Sequence, residues 1–400
     1  LATSIAWFGL LLTGQIATAG EPVTVTNLKQ AAITGELAVW NDEKLIVVTD
    51  KPQSMDRLET RLVTFDRLAA KSSPGQSILW LSNGDRIVAR VAKVANDQVT
   101  VNWPIAGDSP PRIPLEKVVA IILDLPASAN DRLRLYSDLE TLPAGNDLVI
   151  LANGDRTQGE FLELDDAIIE LKVAGKPLKL DRARARALRM NSQLTNSSKI
   201  VRHRQIFTLT DGSRVTSTSC DLVDGILKLK STEVGMLRIP LSTVVSCQLF
   251  GDRLVPLSDY EPAKAEFTPY FSNHWPLVRN ANVMHGKLGL RGAEFATGLG
   301  MHSQMRVTYA LRGSEQSFQS VVGIDDIAGG RGSVQFGVEV DGRRVWKSSE
   351  LTGKSAPLTI PPVSLRGAKQ LTLIVEFGQF ADVADYADWC DAVLLLDSVP

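Results

Sequence analysis

A strand–turn–strand signature occurs three times in this chain of 400 residues, and it restricts the fold more than any other feature. Ile78-Leu79-Trp80-Leu81-Ser82-Asn83-Gly84-Asp85-Arg86 recurs as Val149-Ile150-Leu151-Ala152-Asn153-Gly154-Asp155-Arg156, and again as Phe207-Thr208-Leu209-Thr210-Asp211-Gly212-Ser213-Arg214. Asn-Gly and Asp-Gly favour tight hairpins because a positive φ is cheap for those residues. Each copy then reaches a second polar turn, at Asn96-Asp97, Asp165-Asp166 or Asp224-Gly225, followed by an alternating strand. Two copies close through Arg112-Ile113-Pro114-Leu115 and Arg238-Ile239-Pro240-Leu241, each leading into an apolar strand, and the third through Pro177–Leu180. Three strands and a final pair describe a small five-stranded barrel of the SH3-like or Sm-like kind. The spacing of about 58 to 70 residues between Gly84, Gly154 and Gly212 suits that size. Gly35–Asp50, with Asn41-Asp42 at a turn, reads as a degenerate further copy. The expected units are therefore 21–72, 73–128, 143–190 and 200–258. A unit this short buries little surface alone, so neighbouring copies are expected to pack together.

Composition excludes several classes. With 43 basic and 45 acidic residues, the chain has no electrostatic footprint for nucleic acid or an anionic membrane. The one basic run, Arg182, Arg184, Arg186 and Arg189, lacks the interleaved aromatics that single-stranded RNA needs, and reads as a solvated face. Only three cysteines occur, so no disulfide framework is expected; Cys220 and Cys247 lie in neighbouring strands and are the one candidate pair. Residues 1–20 are apolar and end in Ala17-Thr18-Ala19, which suits signal peptidase cleavage before Gly20 or Glu21. That segment lacks a starting Met and a basic flank, and reads as a truncated signal peptide. The expected location is extracytoplasmic, in the periplasm, at the cell surface or secreted. An uncleaved anchor is the rival reading, although Ile5–Leu12 is too short to span a bilayer.

The last third has a different texture. Val334, Phe336, Val338 and Val340 alternate with polar residues, as do Met305, Val307, Tyr309 and Leu311, and also Leu371, Leu373, Val375 and Phe377. That period of two predicts an antiparallel, jelly-roll-like β-sandwich over 265–398, and the whole chain is read as all-β. Four segments punctuate it: Gly298–Ser303 (GLGMHS), Val322–Asp326 (VGIDD), Val338–Ser348 (VEVDGRRVWKS) and Asp385–Leu396 (DYADWCDAVLLL). In this order they resemble the NPCBM family of carbohydrate-binding modules, which are appended to secreted glycoside hydrolases, family 98 included. The usual small residue is replaced by Cys390, a substitution of similar size. The resemblance implies recognition of galactose-type or related glycans.

Sugar binding needs a flat apolar ring for the C–H face of a pyranose and fixed polar groups for its hydroxyls. Trp389, Tyr386, Asp385 and Asp388 supply both within a few residues, and His302 and Arg331 join them if the loops meet at one end of the sandwich. Trp389 directly precedes an apolar strand and is equally suited to cap the core; Trp275, Tyr270, Trp346 and Phe380 are the alternative rings. The acids Asp325, Asp326, Asp382 and Asp391 are candidate ligands for a structural Ca²⁺. No HExxH, GxSxG, P-loop or dinucleotide motif is present, and a hydrolase would rest on Asp385 and Asp388 alone. Three readings remain: a non-catalytic glycan-binding protein with the repeats as spacer or interaction units, an envelope assembly protein whose sandwich binds protein partners, and a glycoside hydrolase or its accessory subunit.

Overall fold

The computed structural model describes residues 20–107, 111–141, 145–196, 199–270 and 274–397. The expected signal segment therefore lies outside the described residues, apart from Gly20. Nearly all the regular structure is β, and every ladder is antiparallel. No helix among the described residues is long and apolar enough to cross a membrane.

Four units share one strand plan. In unit one the strands are Pro22–Asn27, Ala32–Trp40, Lys44–Val48, Pro52–Asp56 and Thr60–Phe65. The first pairs with the second and the fifth, the second with the third, and the third with the fourth. Unit two (Ile78–Ile122), unit three (Asp147–Arg189) and unit four (Arg204–Phe250) repeat that order. In each, a single 3-10 turn joins strands four and five: Arg57–Glu59, Leu115–Lys117, Arg182–Arg184 and Leu241–Thr243. No ladder links those two strands, so the units are not closed barrels.

The Asn-Gly and Asp-Gly signatures form the turn between strands one and two. Gly84, Gly154 and Gly212 have φ of 88°, 91° and 87°. The preceding side chains accept from the backbone N–H two residues on, Asn83 from Asp85 at 2.9 Å, Asn153 from Asp155 at 3.1 Å and Asp211 from Ser213 at 2.7 Å. Unit one makes the same turn differently. Asn27 accepts from Lys29 at 2.9 Å, and the positive φ falls on Gln30, without a glycine. Asn41-Asp42 belongs instead to its next turn, between strands two and three. Cys220 and Cys247 are buried as free thiols.

The units associate through their fifth strands. Units two and three pair as Ala120↔Arg189, Ile121↔Leu188 and Ile122↔Ala187. Units four and one pair as Ser246↔Thr64, Cys247↔Val63 and Gln248↔Leu62. Aligning the units on their fifth strands superposes these two registers, so the four units form two equivalent pairs around one continuous apolar core. Each pair has an outer apolar face that must be covered. Ile78, Trp80, Ile122 and Ile150 are covered by the helix Ala129–Thr141, through Leu135, Tyr136 and Leu139. Arg86 stacks over Trp80 at 4.3 Å and reaches Tyr136 at 5.5 Å. The helix falls in the gap between the units expected over 73–128 and 143–190. On the other pair, Leu28, Ile206 and Phe250 are covered by the C-terminal sandwich, through Leu254 and Val393.

The sandwich has two facing sheets. One runs Val278–Arg279, Gly298–His302, Tyr386–Leu396, Glu315–Ile324, Leu358–Thr359. The other runs Lys264–Phe267, Met305–Ala310, Gln370–Phe377, Ser333–Val340, Arg343–Lys347. Their inner faces bury Leu299, Phe318, Val322, Val307, Tyr309, Phe336, Leu373 and Val375. The sandwich begins earlier than residue 265, because Leu254–Pro256 is hydrogen-bonded along the C-terminal half of Tyr386–Leu396. It is fastened to unit one by Arg61 and Gln30, which donate to Gln319 at 2.6 and 2.8 Å, and to unit four by Gln248 donating to Asp391.

Candidate functional site

Trp389 is not at the surface. It is 0% exposed, lies 5.3 Å edge-on to Phe336 and 6.1 Å from Phe318, and sits between Leu299 and Val322 on the neighbouring strands. The ring is a core residue, so it offers no platform to a ligand. Its orientation is set by a β-bulge at Asp391, where φ is +46° and Cys390 pairs with Val321 while Val393 pairs with Gln319. Without that extra residue, Trp389 would face opposite to Leu394 and Leu396. With it, all three point inward.

Asp388 and Cys390 consequently fall on the other face, under the hairpin Leu288–Phe295. Asp388 is completely buried, with the carboxyl of Asp325 and the backbone N–H of Gly289 as its polar neighbours. Gly300 and Gly323 stand opposite it on the flanking strands. Burial, and then the neighbouring Asp325, push its carboxyl well above the usual carboxylate range. Asp325 is used differently. Its two oxygens accept from Ile327 at 2.9 Å and Gly289 at 3.0 Å. Asp326 accepts from Arg291 at 2.8 Å and Gly292 at 2.7 Å, and so tethers the tip of the same hairpin.

The four acids expected to hold Ca²⁺ are dispersed. Asp325 and Asp326 serve the hairpin, Asp391 meets Gln248 at the boundary with unit four, and Asp382 lies on the rim loop. Among the described residues, no three His, Cys, Asp or Glu side chains converge as a metal-ligand set. A hydrolytic pair of Asp385 with Asp388 is also not formed as an open site, since both side chains are enclosed.

The structure does gather the remaining candidates at one end of the sandwich. His302 ends its strand directly opposite Tyr386. Its imidazole lies flat on the indole of Trp275, with centroids 4.6 Å apart and planes 1° from parallel. Tyr386 approaches both rings, at 5.8 Å from Trp275 and 5.9 Å from His302. Phe267 stands edge-on to His302 at 6.3 Å and to His274 at 5.5 Å. Nδ1 of His302 is 2.9 Å from the carbonyl of Ser303, and burial lowers the imidazole pKa, so the ring is neutral at pH 7. Trp275 and Tyr386 are half-buried, while His274 is exposed. Tyr270, Phe380 and Val383 are exposed on adjoining loops, and Tyr270 packs edge-on to Phe377 at 5.5 Å.

A polar network underlies this aromatic rim. Asp385 accepts from the hydroxyl of Ser303 and from the backbone N–H of Ser333, the latter at 2.8 Å. Ser333 donates its own hydroxyl to Glu350, which also accepts from the N–H of Gln379 at 3.2 Å. Burial raises the pKa of Asp385 to about 6, against the pull of both serine hydrogen bonds; Asp382 and Glu350 add to the rise. Arg331 is exposed on the loop beside it, where Gly332 presses against the carbonyl of Ala384, and its Nε donates to Ala328 at 3.2 Å. Asp385 is therefore a brace beneath the rim, and the accessible groups are Trp275, Tyr386, His274, Asp382 and Arg331. Trp275, not Trp389, is the indole that reaches this rim. Its one sequence signal was an indole outside every alternating apolar strand.

The NPCBM/NEW2 domain model matches residues 253–395, which begins with the early strand that the fold adds to the sandwich. No curated protein matches the chain. Among solved structures, the CBM51 of Clostridium perfringens GH95, in complex with methyl-galactose, is similar at 24% identity and a TM-score of 0.32, over 35% of this chain and 99% of that one. The CBM51-2 and INT domains of Clostridium perfringens ZmpB, with GlcNAc, give 22% identity and 0.33, over 46% of this chain and 42% of that one. The tandem CBM51 modules of Sp3GH98, a family 98 glycoside hydrolase from Streptococcus pneumoniae, give 10% and 0.32, over 94% and 88%.

Proposed function

We propose, taking residues 253–395 as the NPCBM/NEW2 domain they match, that this is a non-catalytic glycan-binding protein and that the rim around Trp275 is its saccharide site. One observation carries the reading. Trp275 is held rigid by a parallel stack on His302, beside Tyr386, and is still part-exposed at a loop end of the sandwich. A ring fixed in this way loses little side-chain entropy on binding, which is what a stacking platform for the C–H face of a pyranose requires. Asp382, which acts on His302, and His274, edge-on to Phe267 and next to Trp275 in the chain, are placed to orient hydroxyls, and Arg331 is the further candidate on its exposed loop. Galactose-type glycans are the first class to test, and an extracytoplasmic location is part of the same proposal. The buried Trp389 would have favoured a protein-binding envelope role had no other indole reached the rim; Trp275 removes that argument.

A glycan array probed with the full chain tests this directly. Galactose-terminated glycans should bind, and Trp275→Ala should abolish binding while leaving the thermal midpoint nearly unchanged. An array silent for the wild type, or binding untouched by Trp275→Ala, would overturn the assignment.

A further inference from the structure

The two pairs of units have equivalent clefts, and only one is filled. In the pair of units one and four, the cleft lies between the 3-10 turn Arg57–Glu59 and the end of strand five at Leu249-Phe250. Its residual volume is only about 10 Å³. The guanidinium of Arg57 is buried there, Asp42 accepts from the N–H of Cys220 at 2.8 Å, and the chain returns over the cleft through Gly251–Leu254. Leu254 is buried, and Arg253 pairs with Glu59.

Superposing the fifth-strand registers places Arg182 on Arg57, Ala183 on Leu58, Arg184 on Glu59, and Leu123-Asp124 on Leu249-Phe250. Arg182, Ala183, Leu123 and Asp124 line the corresponding cleft between units two and three, which is open with a volume of about 570 Å³; Arg184 follows them in the chain, outside the lining. That volume lies within the range of sites that hold ligands. The opening follows from the sequence: alanine replaces Leu58, aspartate replaces Phe250, and Asp166 bonds Arg90 at 2.6 Å instead of reaching a backbone N–H. The chain that leaves strand five enters the covering helix and does not return over the cleft.

We propose that the open cleft binds an extended peptide segment of a partner protein, in the way that the filled cleft holds residues 251–254 of this chain. The apolar floor of Val88, Leu123 and Ala185 accepts a leucine-sized side chain, as Leu254 is accepted in the filled cleft. The cleft also offers amide, carboxylate and guanidinium groups at Asn102, Gln76, Asp124, Asp166 and Arg90, which match the alternating N–H and C=O of an extended backbone. Charge decides the specificity. Glu59, which holds Arg253, is replaced by the exposed Arg184, so the preferred segment carries an acid where this chain has Arg253, directly before the leucine. Asp124 has its own cation in Arg186 at 4.0 Å, Asp166 has Arg90, and Arg182 donates to the carbonyls of Asp165 and Val91, so the exposed Arg184, equivalent to the Glu59 that pairs with Arg253, is the position set against the segment's charge.

The probes are two labelled peptides copying residues 250–257, one native and one with Arg253→Glu, titrated against the full chain by fluorescence anisotropy. The acidic peptide should bind about five- to tenfold tighter than the native one, the span between attraction and repulsion of an exposed charge. Arg184→Glu, a change on an exposed side chain, should invert that preference. Ala183→Trp, which refills the cleft where Leu58 stands, should abolish binding of both. The proposal is overturned if neither peptide binds the wild type, if the preference survives Arg184→Glu, or if a galacto-oligosaccharide occupies the cleft instead.

Discussion

Replacing Asp385 by asparagine should change how stability depends on pH, by an amount the structure sets. Asp385 is enclosed beneath the rim and its carboxyl is raised to about 6, whereas an aspartate in the unfolded chain keeps its ordinary value of 3.8. The folded protein therefore holds a proton that the unfolded chain has lost between those two values. Stability from this residue is fully present below pH 3.8 and falls as pH rises through about 6. The interval of about 2 pH units corresponds to about 3 kcal/mol, and water at the loop edge screens it to about 2 kcal/mol. Asparagine keeps an oxygen for the N–H of Ser333 and can donate to the hydroxyl of Ser303, so the brace survives without the ionisation. Urea unfolding of both proteins from pH 4 to pH 8 is the assay. Buried acids such as Asp388 and Asp325 contribute equally to both, so the difference isolates Asp385. That difference should grow in favour of Asp385→Asn by about 2 kcal/mol between pH 4 and pH 7 and stay flat above. Parallel curves, or a difference of opposite sign, would refute the reasoning.

Trp389→Ala should cost about 3–5 kcal/mol by emptying the sandwich core against Phe336 and Phe318, and Trp389→Phe should keep glycan binding; a loss under about 1 kcal/mol in equilibrium unfolding would contradict the core placement. Gly154→Ala should cost about 1–2 kcal/mol, the ordinary strain of a positive φ in open space. Gly212→Ala should cost more, because its Cβ would also stand 2.9 Å from the carbonyl of Ala70; equal midpoint shifts for the two variants would show that this contact is unimportant.

The repeated units were legible because their turns are written in local chemistry. An Asx side chain and a positive-φ glycine fix each hairpin without tertiary help, and three copies of Asn/Asp-Gly announce it. Unit one was obscured for the same reason in reverse, since its turn places the positive φ on Gln30 and has no glycine to mark it. The helix Ala129–Thr141 escaped because its apolar face is narrow, with Leu135, Tyr136 and Leu139 its only buried positions among the described residues, and because its role depends on a gap between two distant strand pairs. The sandwich was readable from period-two alternation. The site was readable in part: the motif segments do lead to His302, Tyr386 and Asp385, but not to the orientation of Trp389. Counting back from Leu394 by twos puts that indole outside, and the bulge at Asp391 reverses the parity. A bulge reflects how two strands meet, and neither strand's own sequence declares it. Trp275 was missed as the main ring because its partner His302 comes from a separate segment, so the stack exists only after folding.

The most direct measurement follows the indole N–H resonances of the seven tryptophans during titration with a galactose-terminated glycan, with Trp275 assigned by Trp275→Phe. The account predicts that the Trp275 signal moves in a saturable way while that of the enclosed Trp389 stays in place. A glycan that binds with Trp275 unmoved would contradict it.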